Sequence, residues 1–244
     1  MDRGASLIPM LLRAHHEEGT LYEADERPNL SELAWAKLAE LEVTEPTDLF
    51  FHALAVLHAP AYRAENAGAL RMDWPRLPWP GSKADLASSA ALGRQVADLL
   101  DADKPVPLVT AGLVREDLRS LGVLRRVDGG AFDPAVDLAV TAGWGIRGQG
   151  GIAMPSEGRR EGDRVFLNAQ TCWEGVPEAV WHYSLGGYQV LKKWLSYREQ
   201  ILLGRALRPD ESKHFTDMVR RIAALLALEP ELNANYLRHA TPSH

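Results

Sequence analysis

The sequence predicts a mixed α+β chain, with a helical N-terminal part, a central β-rich part with long loops, and a C-terminal helical pair. Three observations carry that prediction. Apolar residues recur at helical spacing between Leu33 and Leu100. Short β-branched or aromatic runs divided by Gly, Pro and Asp fill residues 104–185. Helical spacing returns after Gly186-Gly187. The 244 residues are 46% hydrophobic and 25% charged, ordinary globular usage with enough apolar mass for a buried core. Two parts are expected: a helical scaffold or docking part over 1–101, and a mixed β and helical part over 102–244.

Taken in order, Asn29 or Ser31 caps a run through Leu33, Trp35, Leu38 and Leu41. Thr47-Asp48 opens a second run, Phe50, Leu54, Leu57, that stops near Pro60. WPRLPWP at 74–80 holds three prolines and must take an extended path, which Trp74 and Trp79 are expected to pin to the first helices. Ser82 starts a helix from Leu86 to Leu100. PVPLVTAG, GVLRRV, VDLAVTAGWG, RVFLN and AVWHYSLGG then read as strands and loops. YQVLKKWLSYREQILL reads as one helix, and a last helix, Phe215 to Leu228, ends at Pro230. Trp181, Trp194 and Tyr188 are assigned to core packing rather than base stacking.

Net charge is −6, with its signs segregated. Residues 1–101 carry 9 Lys+Arg against 16 Asp+Glu, whereas 102–244 carry 18 against 17. Within the second part, 188–221 holds eight basic residues against four acidic ones, so phosphate-binding charge would concentrate there. The single cysteine, Cys172, excludes an internal disulfide and fits a reducing cytoplasm. No run is long and apolar enough for a membrane span, and the acids and paired histidines of the first 19 residues argue against a signal peptide.

The catalytic motifs that suggest themselves fail on their surroundings. Gly143-Trp144-Gly145-Ile146-Arg147-Gly148 fits G-x-G-x-x-G, but Gly150, Gly151 and Pro155 leave no room for the helix a dinucleotide site requires. Pro209-Asp210-Glu211-Ser212-Lys213 places its carboxylates in one turn, where Asp210 suits a helix cap better than a nuclease metal site. His15-His16 and His52…His58 lack further ligands at metal spacing, and Gly81-Ser82-Lys83 lacks the rest of a P-loop. No metal, cofactor or catalytic residue is therefore expected.

Two stretches carry a family resemblance. DLFFHALAVLHAPAYRAENAGALRMDWPRLPWP (Asp48 to Pro80) and RVFLNAQTCWEGVPEAVWHYSLGGYQVLKKWLSYRE (Arg164 to Glu199) resemble the C-terminal specificity region of type ISP and type IIG-like restriction–modification enzymes. The resemblance runs over about 30 to 230, weakest in 102–163. It implies a bacterial target recognition domain that reads double-stranded DNA beside an adenine-N6 methyltransferase domain of the same or a neighbouring polypeptide. It also implies a chain that is a fragment or partner of that enzyme and not itself an enzyme. A docking module for the methyltransferase domain, with minor DNA contact, is the alternative.

Residue chemistry selects the contacts. Lys192, Lys193 and Arg198 suit phosphates, and Tyr188 and Gln189 stand at the start of their helix. Arg reads guanine, and Asn or Gln reads adenine. Arg147 and Gln149 in one loop, Arg159, Arg160 and Arg164 in another, and Asn168 with Gln170 are the base-reading candidates.

Overall fold

In a computed structural model the described residues are 8–13 and 26–240, and they form two compact units, one of the described residues up to 98 with 229–240 and the other of 99–228. His15 and His16 lie outside the described residues. The architecture is α+β.

The first unit opens with strands β1 (Leu11–Arg13) and β2 (Glu26–Pro28), an antiparallel pair. Helix α1 (Glu32–Glu40) starts where the Ser31 hydroxyl accepts from the Ala34 N–H at 3.3 Å, so Ser31, not Asn29, is the cap. Helices α2 (Asp48–His58) and α3 (Pro60–Glu65) follow, with Pro60 at a first-turn position where its missing N–H costs nothing. Helix α4 (Lys83–Leu100) begins where Ser82 and Asp85 bond each other reciprocally. It lies so close to α2 that a Cβ on Gly93 would sit 1.8 Å from the Phe51 carbonyl oxygen. Asp48 and Arg94 pair across the same contact.

The proline segment is pinned differently from expectation. Trp74 and Trp79 are 63% and 40% exposed. The bend is instead tied by its carbonyls: Pro78 bonds the buried His52 ring at 2.9 Å, and Arg76 accepts from Tyr62 Oη at 3.1 Å. Prolines lack the N–H groups that would satisfy nearby carbonyls locally, so side chains from distant parts of the chain bond those carbonyls instead.

The second unit begins with a loop and the short helix α5 (Glu116–Arg119), then strand β3 (Val123–Arg126) and helix α6 (Pro134–Asp137). Strands β4 (Gly145–Arg147) and β5 (Ala153–Pro155) form a hairpin. Strands β6 (Arg160–Glu161), β7 (Arg164–Phe166) and β8 (Thr171–Glu174) join β3 in an antiparallel sheet of order β3-β8-β7-β6. Helix α7 (Glu178–His182), a second hairpin of β9 (Ser184–Leu185) and β10 (Tyr188–Gln189), and helices α8 (Val190–Ser196), α9 (Gln200–Leu203) and α10 (Pro209–Ala240) complete the chain. The core packs the sheet on the helices, with Trp173 stacked on Phe215 at 4.0 Å and Trp144 against Trp181 at 5.1 Å. Cys172 is fully buried on β8. Asp137 is fully buried too, accepting from the Asp133 N–H, Arg126 and Thr171, which hold its carboxyl below the usual carboxylate range.

Several sequence-predicted elements change. PVPLVTAG is a loop closed by Val106–Thr110 bonds, and the AVWH of AVWHYSLGG is helical. The helix expected over 188–203 is cut in two, because Glu199 turns inward and the Gln200 N–H bonds the Val140 carbonyl at 2.7 Å. Tyr188 and Gln189 accordingly precede α8 in a strand rather than forming its first turn. The last helix starts at Pro209, and Glu211 rather than Asp210 satisfies its first turn, accepting from the Arg208 N–H at 2.8 Å. It does not end at Pro230 but runs through it, because Leu232, Asn235, Tyr236 and His239 continue a buried stripe.

Candidate nucleic-acid interface

The G-x-G-x-x-G stretch forms the base of a hairpin, and a single 3-10 turn (Gln149–Gly151), not an α-helix, follows it. Gly148 to Ile152 make the turn, closed by Gly148 N–H to the Ile152 carbonyl at 2.7 Å, with Gly150 and Gly151 at φ 68° and 78° where other residues would be strained. The hairpin base is fixed by a buried carboxylate. Glu199 is 4% exposed and accepts the Trp144 N–H at 2.5 Å; burial pushes its pKa up, while the Trp144 and Gly143 N–H groups oppose that shift. Strand β4 runs hard against the end of α8, and a Cβ on Gly145 would meet the Ser196 carbonyl oxygen at 2.0 Å. Arg147 reaches from β4 to the Ile201 carbonyl at 3.2 Å.

These ties bring two sequence-distant candidate groups together. Pro155 of the hairpin, Gly187, Tyr188, Gln189, Lys192 and Lys193 line one groove of about 220 Å³. Lys193 lies over the rings of Tyr188 and Tyr197, at 4.8 and 4.7 Å from their centroids. Tyr188 is 54% exposed, which corrects its assignment to the core; Trp181 is buried, and the half-buried Trp194 packs on Phe215. Gln189 bonds the His182 ring at 2.8 Å, and Gln149 is exposed on the hairpin turn.

The remaining candidates are held by their own chain. Arg159 pairs with Glu161 at 2.8 Å and lies over Phe166, and Arg164 pairs with Glu174 at 3.0 Å. Arg160 is half-buried and donates to the Val176 carbonyl at 3.4 Å. The Asn168 amide donates to the carbonyls of Asp137 and Ala139 and accepts from the N–H groups of Gln170 and Thr171, organising the turn that exposes Gln170. Arg198 stacks on Trp194 at 3.9 Å, and burial lowers its pKa.

The basic segment is correspondingly narrower than its sequence. Arg205 pairs with Glu211 at 2.6 Å, Arg208 with Asp210 at 3.2 Å and Lys213 with Asp217 at 2.5 Å. Arg221 is buried, bonding the carbonyls of Leu99 and Lys104. Among the described residues no group of His, Cys, Asp or Glu is arranged to hold a metal ion, and no helix is long and apolar enough to cross a membrane. His52 and Ser89 bond each other at 2.8 Å, and Ser89 accepts from Asn235.

Comparison with known proteins adds to this geometry. The chain is similar in fold to a solved DrdV–DNA complex, at 22% identity and TM-score 0.51 over 91% of this chain and 20% of that one. It is also similar to the ATP-dependent Type ISP restriction-modification enzyme LlaBIII bound to DNA, at 13% identity and TM-score 0.54 over 93% of this chain and 14% of that one. The chain thus spans a fifth or less of the length of these proteins. No curated protein sequence matches it. The family model of the type ISP C-terminal specificity domain matches residues 1–223, and the chain belongs to that family.

Proposed function

We propose that the chain recognises a specific sequence of double-stranded DNA, as the specificity module of a restriction–modification enzyme, and catalyses nothing itself. The observation that carries this reading is the groove in which Lys192, Lys193 and Tyr188 stand beside the hairpin bearing Arg147 and Gln149. Lys192 and Lys193, with Arg198 behind them, contact phosphates and set the register on the duplex. Arg147, Gln149 and Gln189 read base edges, joined by Arg159, Arg160, Arg164 and Gln170 at the sheet, while Asn168 shapes the turn. The unit formed by 99–228 is the recognition part. The adenine-N6 methyltransferase domain of the same or a neighbouring polypeptide is the partner, and both work in the cytoplasm.

A docking role has its own support. In the first unit Met72, Leu33 and Trp74 are 89%, 65% and 63% exposed, apolar surface that suits the methyltransferase domain. The two roles occupy different units and are compatible.

The test is the salt dependence of duplex affinity. Each lost phosphate contact lowers the slope of log affinity against log salt by about one. The Lys192→Ala/Lys193→Ala variant of the full chain is expected to lower it by about two, and, joined to the methyltransferase domain, to lose site-specific methylation. An unchanged slope overturns the assignment of both lysines.

A further inference from the structure

The hairpin 145–155 exposes apolar side chains that the DNA-contact reading leaves unused. Ile146 and Met154 are direct cross-strand partners, so their side chains lie on one face of the ribbon, and they are 54% and 48% exposed. Ile152, at the turn, is 63% exposed. Three large apolar groups on one short hairpin mark a surface that is covered in use. The hairpin is also braced: Glu199 holds its base, Arg147 ties it to α9, and Gly145 lets it press against α8.

Charge identifies what covers it. From Ala142 to Ser156 there is no acidic residue, and Arg147 is the charge carried there. The adjoining groove is lined by Lys192 and Lys193. An apolar ribbon without acids, flanked by ammonium groups, complements a polyanion with apolar groups inside it. The major groove of DNA fits that description. It is about 12 Å wide, admits a two-stranded ribbon, and carries apolar groups in the C5-methyls of thymine.

Resting on the DNA reading above, we propose that the 145–155 hairpin enters the major groove as a ribbon and that Ile146, Ile152 and Met154 read thymine methyl groups. The hairpin thereby contributes sequence information that phosphate contacts do not.

The full chain would first enrich its site from a random duplex pool, and each thymine of the enriched site would then be replaced by uracil. Uracil lacks the methyl but keeps every hydrogen-bonding group. At one or more positions the wild-type chain is expected to lose about fourfold in affinity per buried methyl. The Ile146→Ser/Ile152→Ser/Met154→Ser variant, changed only at exposed positions, is expected to bind thymine and uracil duplexes alike. Lys192→Ala/Lys193→Ala should weaken both equally and keep the preference. Equal wild-type binding to uracil and thymine sites, or an enriched site without thymine, overturns the proposal. So does a serine variant that keeps the thymine preference or loses only its binding to the methyltransferase domain. A wild-type chain that binds no duplex overturns the DNA reading itself, and a chain that binds without enriching any sequence overturns specific recognition.

Discussion

At the scale of single residues, the hairpin stands on contacts that tolerate little substitution. Gly158 has φ +65°, and a Cβ there would lie 2.1 Å from the Trp144 ring. Left-handed backbone costs about 1–2 kcal/mol and overpacking about 1–3 kcal/mol for a residue with a side chain. Gly158→Ala is therefore expected to destabilise the protein by about 2–5 kcal/mol, read from the denaturation midpoint. Neither this glycine nor Glu199 announces its role in sequence, because both act on Trp144, 14 and 55 positions away. Lys192 and Lys193 stand out in the sequence as two adjacent ammonium groups, and both line the groove beside the hairpin. The cancellation of Arg205, Arg208 and Lys213 was less legible, because whether a nearby carboxylate pairs or points away depends on turn geometry.

At the scale of elements, the contest within α10 is between a proline and a buried stripe. An interior proline costs a helix about 3 kcal/mol. Burying Leu232 and Tyr236, at 1% and 6% exposure, returns about 1.5–3 kcal/mol for each side chain, enough to carry the helix past Pro230. Leu232→Ala is expected to cost about 2–4 kcal/mol, measured by chemical denaturation. A local reading stops the helix at Pro230, because what the following residues pack against comes from elsewhere in the chain. The same limit hid the break between α8 and α9, which depends on a bond to Val140. Helices α1, α2 and α4 were legible because their apolar repeats, and the capping serines of α1 and α4, are local to the elements themselves.

At the scale of the whole molecule, four histidines lean the same way on acidification. Burial lowers the pKa of His52, His214 and His239, and that of His58 to about 4 from its ordinary 6.5. The unfolded chain takes up these protons near pH 6.5, whereas the folded chain resists them. Stability from this source is full above about pH 6.5 and is lost as pH falls toward about 4. Glu211, held down to about 2 chiefly by Arg205, withdraws its contribution at lower pH still. Melting temperatures followed from neutral pH downward should fall through the histidine window, and His58→Gln should flatten the decline. The α+β class was legible at this scale, whereas the return of the segment from residue 229 on to the first unit was not, since that grouping arises only through folding.

Cys172 gives this molecule a built-in clock. Its thiol is the one sulfhydryl in the chain, fully buried on β8, and burial pushes its pKa up. An alkylating reagent therefore reaches it when the sheet opens and not before. With reagent in excess, the rate of its modification measures how often the β3-β8-β7-β6 sheet comes apart, with no dye, label or engineered site.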